Sequence, residues 1–169
     1  MKKLSQILCK IFILLIFPLS ESFSKEKVSG IAKVIDGDTI SINNIKIRFS
    51  GIDAPESYYK GKSQICNSDE IEEKIFCGVL SKNALQDKIK NQIIVCFPEN
   101  IDRYKRIIAE CYLKKESLSS YMVRNGYAFD YIKYSNGKFK NDENFAKKNR
   151  LGLWRMKFVY PWIWRKINK

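Results

Sequence analysis

From residue 28 onward, apolar and polar positions alternate over short runs, the signature of a half-buried antiparallel sheet. The alternation predicts strands over 28–35, 39–42 and 45–49, joined by turns at Asp36-Gly37-Asp38 and Asn43-Asn44. A tight bend runs from Gly51 to Pro55. Residues 57–77 are polar, carry two cysteines and show no period, so they read as a stapled loop. The period then changes. Val79, Leu80, Ala84, Leu85 and Ile89 fall at helical spacing and predict an amphipathic helix over 78–91. Two more strands, near 92–97 and 107–113, flank the charged segment 99–106. A second helix is expected over 116–125, with Leu118, Tyr121 and Met122 on one side and Gly126 as its stop. A third is expected over 140–149, before Gly152. The chain has no internal repeat and no Pro- or Gly-rich linker. Five short strands with about three packed helices predict an α+β chain, mainly β, closed into a small barrel.

The first 24 residues do not belong to this pattern. Lys2, Lys3 and Lys10 flank an apolar stretch over 11–19, and small residues follow over 20–24, the layout of a cleaved export signal. The uninterrupted apolar run over 11–17 is shorter than the ~20 residues a spanning helix needs. The expected organisation is therefore a signal peptide over 1–24, then one domain over 25–169 ending in an aromatic and basic tail. The expected localisation is exported, periplasmic or secreted, with membrane association only where the leader is retained. Four cysteines remain behind the leader: Cys66, Cys77, Cys96 and Cys111. An even number in an exported chain argues for disulfides. Three pairings exist, and local geometry favours Cys66–Cys77 and Cys96–Cys111, the latter because both cysteines fall on expected strands. A four-thiolate zinc site is disfavoured, because such sites use closely spaced cysteine pairs and none occurs here.

Composition narrows the chemistry. The chain of 169 residues carries 31 Lys and Arg against 18 Asp and Glu, a formal net charge of +13. A surface this basic attracts nucleic acid, anionic membrane or acidic polysaccharide. Histidine is absent, which removes Ser-His-Asp and Cys-His nucleophiles and imidazole-based zinc sites. Carboxylates, Lys, Arg, Tyr or a hard metal ion must carry any hydrolytic chemistry.

Asp36 and Asp38 lie at a hairpin turn, Asp53 and Glu56 in the bend after the third strand, and Arg48 on that strand. Each element alone reads as ordinary turn chemistry, and 102–106 as a solvated charge run. Together they differ. In a three-strand meander the first turn and the far end of the third strand share one end of the sheet, so Asp38 and Asp53 converge. Two carboxylates with a backbone carbonyl suit a hard cation such as calcium, which takes six to eight oxygen ligands. Glu56 is then placed to orient or deprotonate a water, and Arg48 and Arg106 to clamp a phosphate.

The blocks Val34-Ile35-Asp36-Gly37-Asp38-Thr39, Arg48-Phe49-Ser50-Gly51-Ile52-Asp53-Ala54-Pro55-Glu56 and Asp102-Arg103-Tyr104-Lys105-Arg106 resemble the signature blocks of the staphylococcal (micrococcal, thermonuclease-like) nuclease family. Met122-Val123-Arg124-Asn125-Gly126-Tyr127-Ala128 and Asn149-Arg150-Leu151-Gly152-Leu153-Trp154 fit as well, so the likeness runs in order over 28–155. It implies a five-stranded OB-type barrel with three helices and a calcium-dependent phosphodiesterase that cuts DNA and RNA with little sequence preference, leaving 3′-phosphate ends. It implies Asp38, Asp53 and the Ala54 carbonyl as calcium ligands, Glu56 as general base or water-positioning group, and Arg48 and Arg106 as phosphate clamps. Tyr104 and Tyr131 stand where the family places aromatics near the nucleotide. Three positions depart from the family pattern. Lys105 replaces a usual Gly before Arg106, Ala54 replaces a Thr, and the cysteine-bearing stretch 57–77 points to an exported, cysteine-containing branch. The expected partner is a DNA or RNA substrate, with a monomeric chain and no obligate protein partner. The rival readings are a non-catalytic OB-fold nucleic-acid-binding module and a membrane-anchored surface protein using the apolar leader and the tail 158–166.

Overall fold

The computed structural model describes residues 26–68 and 74–169; the leader expected over 1–24 lies outside them. The elements in chain order are β1 (Val28–Ile31), β2 (Lys33–Asp36), β3 (Thr39–Ile42), β4 (Ile45–Phe49), β5 (Ile52–Asp53), β6 (Ile65–Ser68), β7 (Lys74–Phe76) and α1 (Cys77–Ile89). Then follow β8 (Ile93–Ile101), β9 (Ile107–Leu113), β10 (Glu116–Ser117), α2 (Leu118–Arg124), β11 (Phe129–Asp130), α3 (Ile132–Ser135), α4 (Lys140–Lys148), β12 (Met156–Lys157) and α5 (Pro161–Ile167).

The expected first strand over 28–35 is two strands, broken at Ala32. The bend there lets the sheet curl round on itself. The main sheet runs β1-β8-β9-β4-β3-β2, so the two halves of one bent segment form its two edges. The β4–β9 pair is parallel, with Phe49 opposite Ala109, and its neighbours are antiparallel. With β1 and β2 counted as the halves of one bent strand, this is the five-stranded OB-type barrel, α+β and mainly β. Alternation fills it: Ile40, Ile42, Ile47, Phe49, Ile94 and Ala109 are buried in one core, capped by Leu85 and Ile89 of α1 and by Leu118, Met122 and Val123 of α2. Cys96 and Cys111 face each other across β8 and β9 and are joined there.

Residues 57–77 differ from the expected loop. They contain β6 and β7, which pair antiparallel, and β12 adds to the other side of β6. The sequence lacks alternation here because the pairs are short and held by the Cys66–Cys77 disulfide rather than by an apolar face. The tail also has structure. It folds back as α5, with Phe158, Tyr160 and Trp162 packed around buried Phe129 in a second small core. Among the described residues there are five α-helices, the three expected (α1, α2 and α4) and the short α3 and α5, and no helix is long and apolar enough to cross a membrane.

Candidate active site

The turn between β2 and β3 presents Asp38, and the end of β4 leads through a bend to β5 and Asp53. The Phe49 amide donates to the Asp38 carbonyl (2.8 Å), and the Ala54 amide donates to Asp38 Oδ2 (3.1 Å). Two glycines permit this approach. A Cβ at Gly37 would meet Ala54 Cβ at 2.8 Å and Ser81 Cβ at 2.7 Å, so the turn can seat against the bend and α1 only without a side chain. A Cβ at Gly78 would fall deep inside the Glu56 carbonyl group, so the start of α1 rests directly on the Glu56 backbone. Glu56 is further fixed by Gln64, whose amide donates to the Glu56 carbonyl (2.9 Å) and whose Oε1 accepts from the Glu56 amide (3.3 Å).

Asp38, Arg48, Asp53 and Glu56 come together at this end of the barrel. Asp53 is fully buried and Asp38 is 4% exposed. Arg48 joins the two, with Nη1 2.8 Å from Asp38 Oδ2 and Nη2 2.6 Å from Asp53 Oδ1. Asp38 Oδ1 also accepts from the Thr39 hydroxyl (2.7 Å). Asp36 is a further member of this acidic group. It accepts from the Gly37 and Ser57 amides, and burial, then the Asp38 and Glu56 charges, pushes its carboxyl up to about 7. Burial and neighbouring acids also raise Glu56, against the opposing charge of Arg165. Asp53 is raised chiefly by burial, with Arg48 pulling the other way. Burial works against the Arg48 charge, but Asp38 and Asp53 outweigh it and hold the guanidinium charged.

Arg165, from α5, was not singled out by the sequence. Its Nη2 lies 2.6 Å from Asp53 Oδ2, and its Nη1 lies 3.1 Å from Asp53 Oδ1 and 2.5 Å from Glu56 Oε1. No motif marks it, because 112 positions separate it from Asp53 and one arginine in a basic tail carries no local signal. Every carboxylate here faces a guanidinium or an amide, and among the described residues no three acidic or cysteine side chains stand grouped as a ready-made metal cage.

Arg106 is placed differently from the other site residues. Its Nε donates to Asp102 Oδ2 (2.7 Å), with Nη2 at the same distance, and the structure gives it no bond to the acids. The turn that delivers it is formed despite Lys105. The Lys105 amide donates to the Asp102 carbonyl (3.0 Å), the Asp102 amide donates to the Arg106 carbonyl (2.9 Å), and Lys105 takes φ +61°, a left-handed conformation that glycine adopts without strain. Tyr104 is 64% exposed, with the Arg103 and Arg106 guanidiniums 4.8 and 5.5 Å from its ring centre. Tyr131 lies under the tail, its ring parallel to Trp162 at 4.9 Å.

An OB-type barrel with buried acids and a bridging arginine at one end offers carboxylate and guanidinium chemistry, with no histidine in the chain. The sequence profile of the staphylococcal nuclease homologue family matches residues 46–156. The chain belongs to this family, and with its endonuclease-named relatives this makes it a hydrolytic nuclease acting on phosphodiester bonds. It is 30% identical over 165 residues to a protein of Haemophilus influenzae described as an uncharacterized endonuclease, covering 93% of this chain and 84% of that protein. It is also 30% identical to a succinoglycan biosynthesis protein of Rhizobium meliloti, over 77% of this chain and 66% of that one. A staphylococcal-like nuclease of Arabidopsis thaliana is 26% identical over 78% of this chain and 36% of its own length.

Proposed function

We propose that the protein is an exported, calcium-dependent phosphodiesterase that hydrolyses DNA and RNA with little sequence preference and leaves 3′-phosphate ends. The observation that carries this reading is the meeting of Asp38, Arg48, Asp53 and Glu56 at one end of the barrel. The donor set fits a hard divalent cation. Four carboxylates, Asp36, Asp38, Asp53 and Glu56, stand against two guanidiniums, Arg48 and Arg165, which leaves an excess of anionic oxygen when all are ionised. Asp38, Asp53 and the Ala54 carbonyl would hold the ion. When bound, calcium supplies Lewis-acid polarisation of the phosphate.

The chain's own residues do the rest. Glu56 accepts a proton from the attacking water, a task helped by a carboxyl raised above its usual range. Arg48 offers its charge to the phosphate oxygens, and Arg106 joins it once substrate competes for its pairing with Asp102. Exposed Tyr104 offers a stacking face that tolerates any base. Two disulfides suit an oxidising compartment and support the export reading.

The test is degradation of single-stranded DNA by the purified protein with calcium and then with a chelator, with end-group analysis of the products. Chelation should abolish cleavage, the ends should carry 3′-phosphate, and Glu56→Gln should lower kcat by about 10²-fold or more. Cleavage that survives chelation would refute the calcium reading. Binding without turnover, unchanged in Glu56→Gln, would make the protein a binding module instead.

A further inference from the structure

Two anchors tie the C-terminal segment to the site. Arg165 spends both terminal nitrogens on the acids, so both oxygens of Asp53 and one of Glu56 accept from a guanidinium. Three positions earlier, Trp162 lies flat on Tyr131, 2° from parallel. One short helix therefore places a cation in the acidic pocket and an aromatic ring on the neighbouring aromatic face. These are the two kinds of group that a metal ion and a nucleobase would bring.

We infer that α5 is an internal plug: Arg165 holds the acidic pocket as a tethered cation while Trp162 covers Tyr131, and a divalent cation enters only as this helix lifts. The inference rests on the cation reading of the same pocket. Arg165 competes with an ion at Asp53, because its positive charge and its donors occupy both oxygens that an ion would use. The helix is built to lift. It has seven residues and no side-chain cap at its N-terminus, and Ile163 and Ile167 remain 41% and 71% exposed. A helix this short owes its form to its contacts rather than to its own propensity. Pro161 at its first position breaks it from the segment before, which stays held by the Gln64 side chain donating to the Val159 carbonyl (2.6 Å) and by Phe158 and Tyr160 on Phe129. For the helix to leave while its base stays fixed, Trp162 must also give up its stack on Tyr160, and the outer contacts of Trp164 with Tyr59 and of Lys62 with Asn168 must open. A pocket that is open for only part of the time binds its ion with an affinity reduced by that fraction.

The test is calorimetric titration of calcium into the wild-type protein, Arg165→Gln and Trp162→Ala, with circular dichroism confirming the fold of each. Trp162→Ala loosens the second anchor without touching an acid, so it stands as the check should Arg165→Gln fail to fold. Both variants should bind calcium about tenfold more tightly than wild type or better. In the wild type, added calcium should expose the bonds after Arg165 and Lys166 to trypsin. Equal calcium affinity in all three proteins would overturn the plug and leave the cation reading standing. Weaker binding by Arg165→Gln would also overturn it, making Arg165 a supporting member of the site. No calcium binding by any of the three would overturn the cation reading, and the plug with it.

Discussion

Gly78→Ala separates the position of Glu56 from its chemistry. Gly78 lies in the first turn of α1, and an added methyl would meet the Glu56 carbonyl carbon and oxygen and the Ser57 nitrogen, all of them backbone. Backbone does not rotate aside as a flexible side chain does, so α1 and the bend must part by about 1 Å or more. In helix propensity Ala gains up to about 1 kcal/mol over Gly. Forced overpacking costs about 1–3 kcal/mol. The clash wins, and the expected net loss is about 1–2 kcal/mol in urea unfolding. The larger effect should be kinetic, since a displacement of about 1 Å in a positioning element costs about 10²-fold in rate. Steady-state hydrolysis of single-stranded DNA in calcium, run beside the unfolding curve, reads both. A Gly78→Ala protein that is more stable than wild type and fully active would refute the claim that α1 seats Glu56.

Three further outcomes follow from other contacts. Lys105→Gly should relieve the left-handed strain before Arg106 and raise stability by up to about 1 kcal/mol, read from the denaturation midpoint. Replacing Cys66 and Cys77 by Ala removes a bridge between positions 11 apart, with a loss of about 3 kcal/mol in unfolding. Because Cys77 adjoins Gly78 and Cys66 lies two positions from Gln64, kcat should fall further than in the matching Cys96 and Cys111 double variant. In Asp102, burial acts against the charge, but hydrogen bonds from the Arg106 backbone and side chain outweigh it and hold the carboxyl below its ordinary 3.8. A depressed acid stabilises the fold above its unfolded pKa and loses that contribution as pH falls through the folded one. The stability gap between wild type and Asp102→Asn should therefore be full above about pH 4 and shrink below it.

The barrel was readable because each of its strands alternates around one core, and a period of two survives in the sequence wherever one face is buried. The helices α1 and α2 were readable at helical period, through Leu85 and Ile89 and through Leu118 and Met122, although Val79 of the expected α1 face is exposed and Ser81 is buried instead. The break at Ala32 was hidden because both halves of that segment carry the same alternation. The pair β6 and β7 was hidden because three or four residues leave no period to detect. Of the site, Asp38, Arg48, Asp53 and Glu56 announced themselves through neighbouring motifs. Asp36 passed as turn chemistry because its burial arises only when the bend closes over it. Gln64, Gly78 and Arg165 act through backbone seating or long-range approach, and neither property is written in local spacing.

The placement of the tryptophans has a practical consequence. All three in the chain, Trp154, Trp162 and Trp164, belong to the C-terminal aromatic cluster or its edge. The barrel core holds none, so intrinsic fluorescence views one side of the molecule while far-ultraviolet dichroism averages over the whole. Melting curves followed by the two signals should superimpose only while the cluster and the barrel come apart together. Any temperature range in which emission shifts ahead of ellipticity marks the tail loosening on an intact barrel, an optical separation that needs neither a label nor a mutation.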